Sequence, residues 1–131
     1  MATDERCVNL TVEPSELLER VTRLVDDVLD ATIAGRWPQA ELVALVGCLR
    51  SEVLPRAQHE ECDVFARKVS AADRAQLNRD HRRLREATAV LARAVGGEGN
   101  RSAAHVAATA RSVLSQLDRH LASEREVLAL A

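Results

Sequence analysis

A chain of 131 residues has the length of one domain built on a single core. Eighteen basic against twenty acidic residues leave a net charge of −2, which excludes attraction by bulk charge to nucleic acid or to an anionic membrane. Hydrophobic residues make up 47% and aromatic ones only 2%, with no tyrosine. This alphabet favours helices and excludes a sandwich or barrel of strands. No apolar run approaches the ~18 residues of a membrane span. Met1 to Arg6 lack the charged-then-apolar layout of a signal peptide, so the expected location is the cytoplasm, with Cys7, Cys48 and Cys62 as free thiols. Three cysteines without a CxxC pair indicate neither a disulfide framework nor a zinc knuckle.

Punctuation divides the chain into an arm, residues 1–13, and four helices. Pro14 suits a first helical turn, with Glu16 and Glu19 at the positive end of the dipole. The first helix is predicted over about 14–34, stopped by Gly35-Arg36-Trp37-Pro38. The second runs over about 38–68, interrupted by Pro55, which should kink it or remove one backbone bond. Ser70-Ala71-Ala72-Asp73 resembles a capping box and opens the third helix, about 71–95. Gly96 to Asn100 break the chain, and Ser102 caps a fourth helix, about 102–130.

Apolar spacing supports each element. The first helix carries Leu18, Val21, Val25, Val28 and Thr32 on one stripe, with Leu17, Leu24 and Leu29 alongside. The second repeats Leu42, Val46, Leu49 and Val53, then Arg56 and Glu60 at the same interval. The third has Leu77, His81, Leu84, Thr88, Leu91 and Val95, and the fourth Ala110, Val113, Leu117, His120, Glu124 and Val127. Four seams of period ~3.5 predict an all-α, up-down-up-down four-helix bundle in a single domain.

Arg56, Glu60, His81, His120 and Glu124 are polar residues on apolar seams, and an unpaired buried charge costs several kcal/mol. They must meet one another, a ligand or water. Glu60 lies eleven residues before Ala71 and His81 ten after it, so at ~1.5 Å per residue the two share a level. His120 reaches that level to within a turn, and Val21 reaches it from the first helix. His120 and Glu124 are one turn apart on one face, as a chelating pair must be.

The fragment His120-Leu121-Ala122-Ser123-Glu124-Arg125-Glu126-Val127-Leu128 resembles the last helix of a hemerythrin-like (HHE cation-binding) domain, with its His-x-x-x-Glu-Glu pattern. Asp80-His81-Arg82-Arg83-Leu84 is similar to that family's third-helix histidine motif. Val53-Leu54-Pro55-Arg56-Ala57-Gln58-His59-Glu60-Glu61 is similar to a second-helix pattern, Leu-Pro-His-Ala-x-x-Glu-Glu. The similarity runs from about Leu17 to Leu130. The resemblance implies a bundle that holds two non-haem irons, with Glu60 and Glu124 as bridging carboxylates and His81 and His120 as ligands of one iron. Val21 and Arg56 stand where the resemblance implies histidines of the other iron, which argues against a two-iron centre.

Two carboxylates in a dry core need about two compensating positive charges. Arg56 is always protonated and can replace the second cation without ligating anything. Two states remain open. One is a mononuclear centre of Glu60, His81, His120 and Glu124 holding one iron, manganese or zinc ion, a nitrogen and oxygen donor set suited to each. There Arg56 adjusts charge and hydrogen-bonds a bound anion or oxygen species. The other is metal-free, with Arg56 and a protonated histidine balancing the two glutamates.

The remaining candidates have plainer readings. His59 and His105 are expected to face solvent, Glu61 to be a surface charge, and Arg79, Arg82, Arg83 and Arg85 to form a solvated face. Cys48 and Cys62 are expected to pack between helices. Trp37 is a contact residue or a lid on the bundle's end. The leading expectation is a cytoplasmic metal-binding protein for iron handling or for oxygen or redox sensing, with a diatomic or peroxide-sized ligand. One alternative is a metal-free interaction module with a protein partner or a second copy. Another is an iron enzyme that decomposes peroxide or nitric oxide.

Overall fold

Glu13 is extended (φ −62°, ψ 140°) and Pro14 follows at the first helical position, so the chain enters α1 (Pro14–Ile33) where a missing N–H does no harm. The computed structural model describes residues 13–61, 69–96 and 102–129. α1 ends in a Schellman motif, with Arg36 N–H donating to Ala31 O and Gly35 N–H to Thr32 O. Gly35 takes φ +78° there, a conformation that a side chain would strain.

The second helix of the bundle begins as α2 (Gln39–Cys48), passes through a π-helical segment (Leu49–Val53) and resumes as α3 (Leu54–His59). Leu54 N–H donates to Leu49 O, five residues back. Pro55 therefore meets a widened turn, which removes the clash that an α-helical proline makes with the preceding carbonyl. The expected kink is a π insertion. Residues 60 and 61 continue in π conformation, and 62–68, which include Cys62, lie outside the described residues, as does Cys7.

α4 (Ala71–Val95) and α5 (Ala103–Ala129) complete the set. Ser70 caps α4, its Oγ accepting from Asp73 N–H at 3.3 Å. Its hydroxyl also donates to the Asp73 carboxylate at 3.1 Å, a variant of the expected box. Ser102 Oγ accepts from His105 N–H at 3.2 Å at the start of α5. Among the described residues there is no strand.

α1 packs on α2 and α5, and α4 packs on α2, α3 and α5, which closes a ring of four helices. The core is aliphatic, and Leu17, Val21, Val25, Val28, Leu42, Leu45, Leu49, Leu84, Leu91, Val113 and Leu117 belong to it. The α1 stripe is rotated slightly from the expected one, because Leu17 and Ala31 are buried while Leu18 and Thr32 are half-buried. Ala94 likewise takes the place expected for Val95. Trp37 Nε1–H donates to Gln39 Oε1, and Gln39 Nε2–H to Val95 O, which ties the α1–α2 loop to the end of α4. Beneath α2, the buried thiol of Cys48 donates to Glu52 Oε2 at 3.2 Å, and Glu52 pairs with Arg20 across the α1 contact. Burial, together with Glu52 as acceptor, pushes this thiol up to about 12, so it acts as a packing group. No described helix is long and apolar enough to cross a membrane.

Leu45 is fully buried, whereas Val43, two residues earlier on the same helix, is 51% exposed. Leu45→Ala should cost about 3 kcal/mol in urea unfolding, as a cavity in an aliphatic core does. Val43→Ala should stay within about 0.5 kcal/mol.

Candidate metal centre

The seam polar residues do converge. Glu60 (5% exposed), His81 (0%), His120 (3%) and Glu124 (6%) are buried together at one level of the bundle. His81 and His120 meet edge to face with ring centroids 4.5 Å apart, and their Nε2 atoms stand 2.9 Å apart. Glu60 Oε1 lies 3.4 Å from His81 Nε2 and 3.8 Å from His120 Nε2. One donor atom from each of Glu60, His81 and His120 falls within 4.8 Å of the others, so the three could hold one metal ion. Glu124 Oε2 borders this set at 3.4 Å from His120 Nε2.

The outer edges of both rings are held by carboxylates. His81 Nδ1 is 2.9 Å from Glu61 Oε1, and Arg85 Nη2–H donates to Glu61 Oε2 at 2.9 Å. His120 Nδ1 faces Asp80 Oδ2 at 3.5 Å. A carboxylate beside Nδ1 makes that nitrogen the donor and leaves Nε2 with its lone pair, as in the carboxylate–histidine–metal arrangement. With both rings in that tautomer, two lone pairs point at each other across 2.9 Å. A metal ion, or a proton on His120, would relieve that opposition.

Electrostatics agree. Burial pulls the His120 imidazole down, but its hydrogen bonds to Glu124 and Glu60, with their charges, outweigh it and raise its pKa to about 9. Burial raises Glu60, yet His120 and His81 hold it well below the ordinary carboxylate range. Glu124 is raised by burial and by Glu60, against the pull of His120 and Arg56. Arg56, whose side chain is 15% exposed, turns its Nη2 towards Glu124 Oε1 at 3.5 Å. Glu124 thus has Arg56 on one oxygen and His120 on the other. Glu60 Oε2 and Glu124 Oε2 receive no hydrogen bond of good geometry, which leaves acceptor capacity that a cation would fill.

Three expectations need correction. Glu61 is not a surface charge. As the neighbour of Glu60 it reaches the opposite edge of the His81 ring, and Arg85 and His81 overcome the effect of burial to lower its pKa. Arg85 leaves the solvated arginine face to bind Glu61, while Arg79, Arg82 and Arg83 remain exposed. His59 is half-buried, whereas His105 is exposed as expected. Asp80 was missed because it sits off the apolar seam, as was Glu61. Each directly adjoins a residue of the candidate centre in sequence, Glu60 or His81, and that adjacency was the available signal. Val21 is fully buried and gives α1 no donor in this layer.

Comparison of the chain with family models, with curated proteins and with solved structures found no match.

In metal-free protein, His120 carries a proton that its unfolded form, with a pKa near 6.5, holds less tightly. The resulting stability is fully present below pH 6.5 and is lost as pH rises through about 9. Chemical denaturation of chelator-treated protein should therefore show stability falling by up to about 3 kcal/mol over that interval. His120→Gln should flatten the slope.

Proposed function

We propose that this protein is a hemerythrin-like metal-binding protein whose centre holds one ion per chain through Glu60, His81, His120 and Glu124, with Arg56 in place of a second cation. The observation that carries this reading is the pair of histidines, each steered by a carboxylate at Nδ1 and aimed by Nε2 at a common point. Two imidazole nitrogens and two carboxylates would form a mixed donor set that suits iron, manganese or zinc. Such an ion would supply Lewis acidity, and in the case of iron a redox couple. Buried donors around such an ion would suit iron handling or oxygen and redox sensing, with a ligand of diatomic or peroxide size.

A metal-free interaction module is the second reading, favoured by the approach of Arg56 to Glu124 and by the raised His120 pKa. In it one guanidinium and one imidazolium offset the two glutamates. Elemental analysis of untagged protein purified without chelators separates the two readings. The metal-binding reading expects about one iron, manganese or zinc per chain, lost in His120→Ala and in Glu124→Ala. A folded protein that neither carries nor takes up metal leaves the metal-free module.

Glu61→Gln should weaken metal binding by about 10- to 100-fold, as loss of a histidine's outer carboxylate does, while Arg82→Ala leaves it unchanged. Competition with a chromogenic chelator reads both. Replacing Val21 and Arg56 together by histidine should raise iron towards two per chain. Unchanged iron in the folded double variant would remove Arg56 from the role of cation substitute.

A further inference from the structure

The two buried glutamates of the centre are not equivalent. Glu60 Oε1 faces both rings, 3.4 Å from His81 Nε2 and 3.8 Å from His120 Nε2. Glu60, His81 and His120 already bring one donor atom each within 4.8 Å of the others, and Glu124 is outside that set. Its Oε2 borders the set from the His120 side, at 3.4 Å from Nε2. Its Oε1 has a different partner, Arg56 Nη2 at 3.5 Å.

These two attachments oppose each other once a cation is present. Electron density that a guanidinium draws on is less available to a metal ion, and two cations drawn to one carboxylate repel each other. The contact to Arg56 is already longer than a good N–H···O bond, so it is the weaker of the two claims on Glu124. Arg56 nevertheless depends on it. The Arg56 side chain is 15% exposed, and a charge at that depth loses stability when a carboxylate partner is drawn away.

We propose that Arg56 and the bound ion compete for Glu124, so that loading the centre draws Glu124 from Arg56 and the guanidinium takes it back as the ion leaves. Glu60, His81 and His120 form the constant part of the site and Glu124 its yielding part. The inference rests on the metal-binding reading of the centre and deepens it. A centre with a resident competitor for one ligand exchanges its divalent cation and does not lock it in.

Zinc(II) is the probe, because it has no redox chemistry and binds nitrogen and oxygen donors more tightly than manganese(II) or iron(II). Its affinity for the full-length protein is read by competition with a chromogenic chelator in a double-mutant cycle of wild type, Arg56→Gln, Glu124→Gln and the double variant. Arg56→Gln should tighten zinc binding about tenfold, as loss of coupling between contacting charges does. In the Glu124→Gln background the same change should tighten it no more than about twofold, the share due to repulsion between guanidinium and ion. Three donors remain in that background, which keeps zinc binding measurable. Equal tightening in both backgrounds overturns the proposal, because Arg56 then acts by charge alone. Weaker binding in folded Arg56→Gln also overturns it and makes Arg56 a support of Glu124 instead. Glu124→Gln protein that takes up no zinc overturns it too, since Glu124 is then indispensable. Wild-type protein that takes up no zinc removes the metal-binding reading and this inference together. Circular dichroism checks the helical signal of each form. Should Arg56→Gln fail to fold, Arg56→Lys keeps the charge without the fork, and the same difference between backgrounds is expected at about threefold.

Discussion

Two imidazole nitrogens 2.9 Å apart in a dry core cannot both present a lone pair, and that constraint shapes the surroundings. A proton shared by the two rings, or an ion held by both, would relieve the contact between His81 and His120. A positive charge at such depth needs anions nearby, and Glu60 and Glu124 supply them. Two buried anions overshoot a single proton, and Arg56 stands beside Glu124 to offset the excess. The outer carboxylates Glu61 and Asp80 keep the rings from turning away, and Arg85 keeps Glu61 from drifting into solvent. Removing any one of these groups leaves another charge or lone pair unbalanced in low dielectric.

Helix geometry makes the arrangement possible. Glu60 and Glu61 are adjacent in sequence yet hold opposite edges of one imidazole, Glu60 at Nε2 and Glu61 at Nδ1. On α5, His120 and Glu124 need only the ordinary four-residue spacing to share a face. On the second helix, with its π insertion before Pro55, Leu49, Val53, Ala57 and Glu60 are all buried. The half-buried Arg56 stands beside this line. A proline inside a helix normally costs a hydrogen bond and a clash, and here the widened turn at Leu49–Val53 absorbs both.

Much of this was legible in the sequence. Pro14, Gly35, Ser70 and Ser102 mark helix ends because caps and breakers act locally, through side chains within three residues of the backbone groups they satisfy. The level arithmetic placed Glu60 beside His81 because the rise per residue of a helix is fixed, and their atoms stand 3.4 Å apart. Other features were not legible. Glu61, Asp80 and Arg85 lie off the apolar seams, where glutamate, aspartate and arginine are the ordinary surface residues. Nothing in composition or period separates a carboxylate that faces water from one that faces a histidine on the next helix. The rotation of the α1 stripe from Leu18 to Leu17 was hidden for a similar reason, since two adjacent leucines fit the period equally well.

The sequence by itself determined four helices, the places where three connections interrupt them, and five polar residues on or beside the seams, four of which are buried. Those follow from local capping and from periodicity, both properties of a single helix. Only the tertiary structure decided that His81 and His120 meet at Nε2 rather than Nδ1, that Arg56 turns towards Glu124, and that Glu61 and Asp80 serve the rings. Ring orientation is set by which carboxylate a neighbouring helix brings to each edge. That depends on the rotation and height of one helix against another, which no single helix encodes.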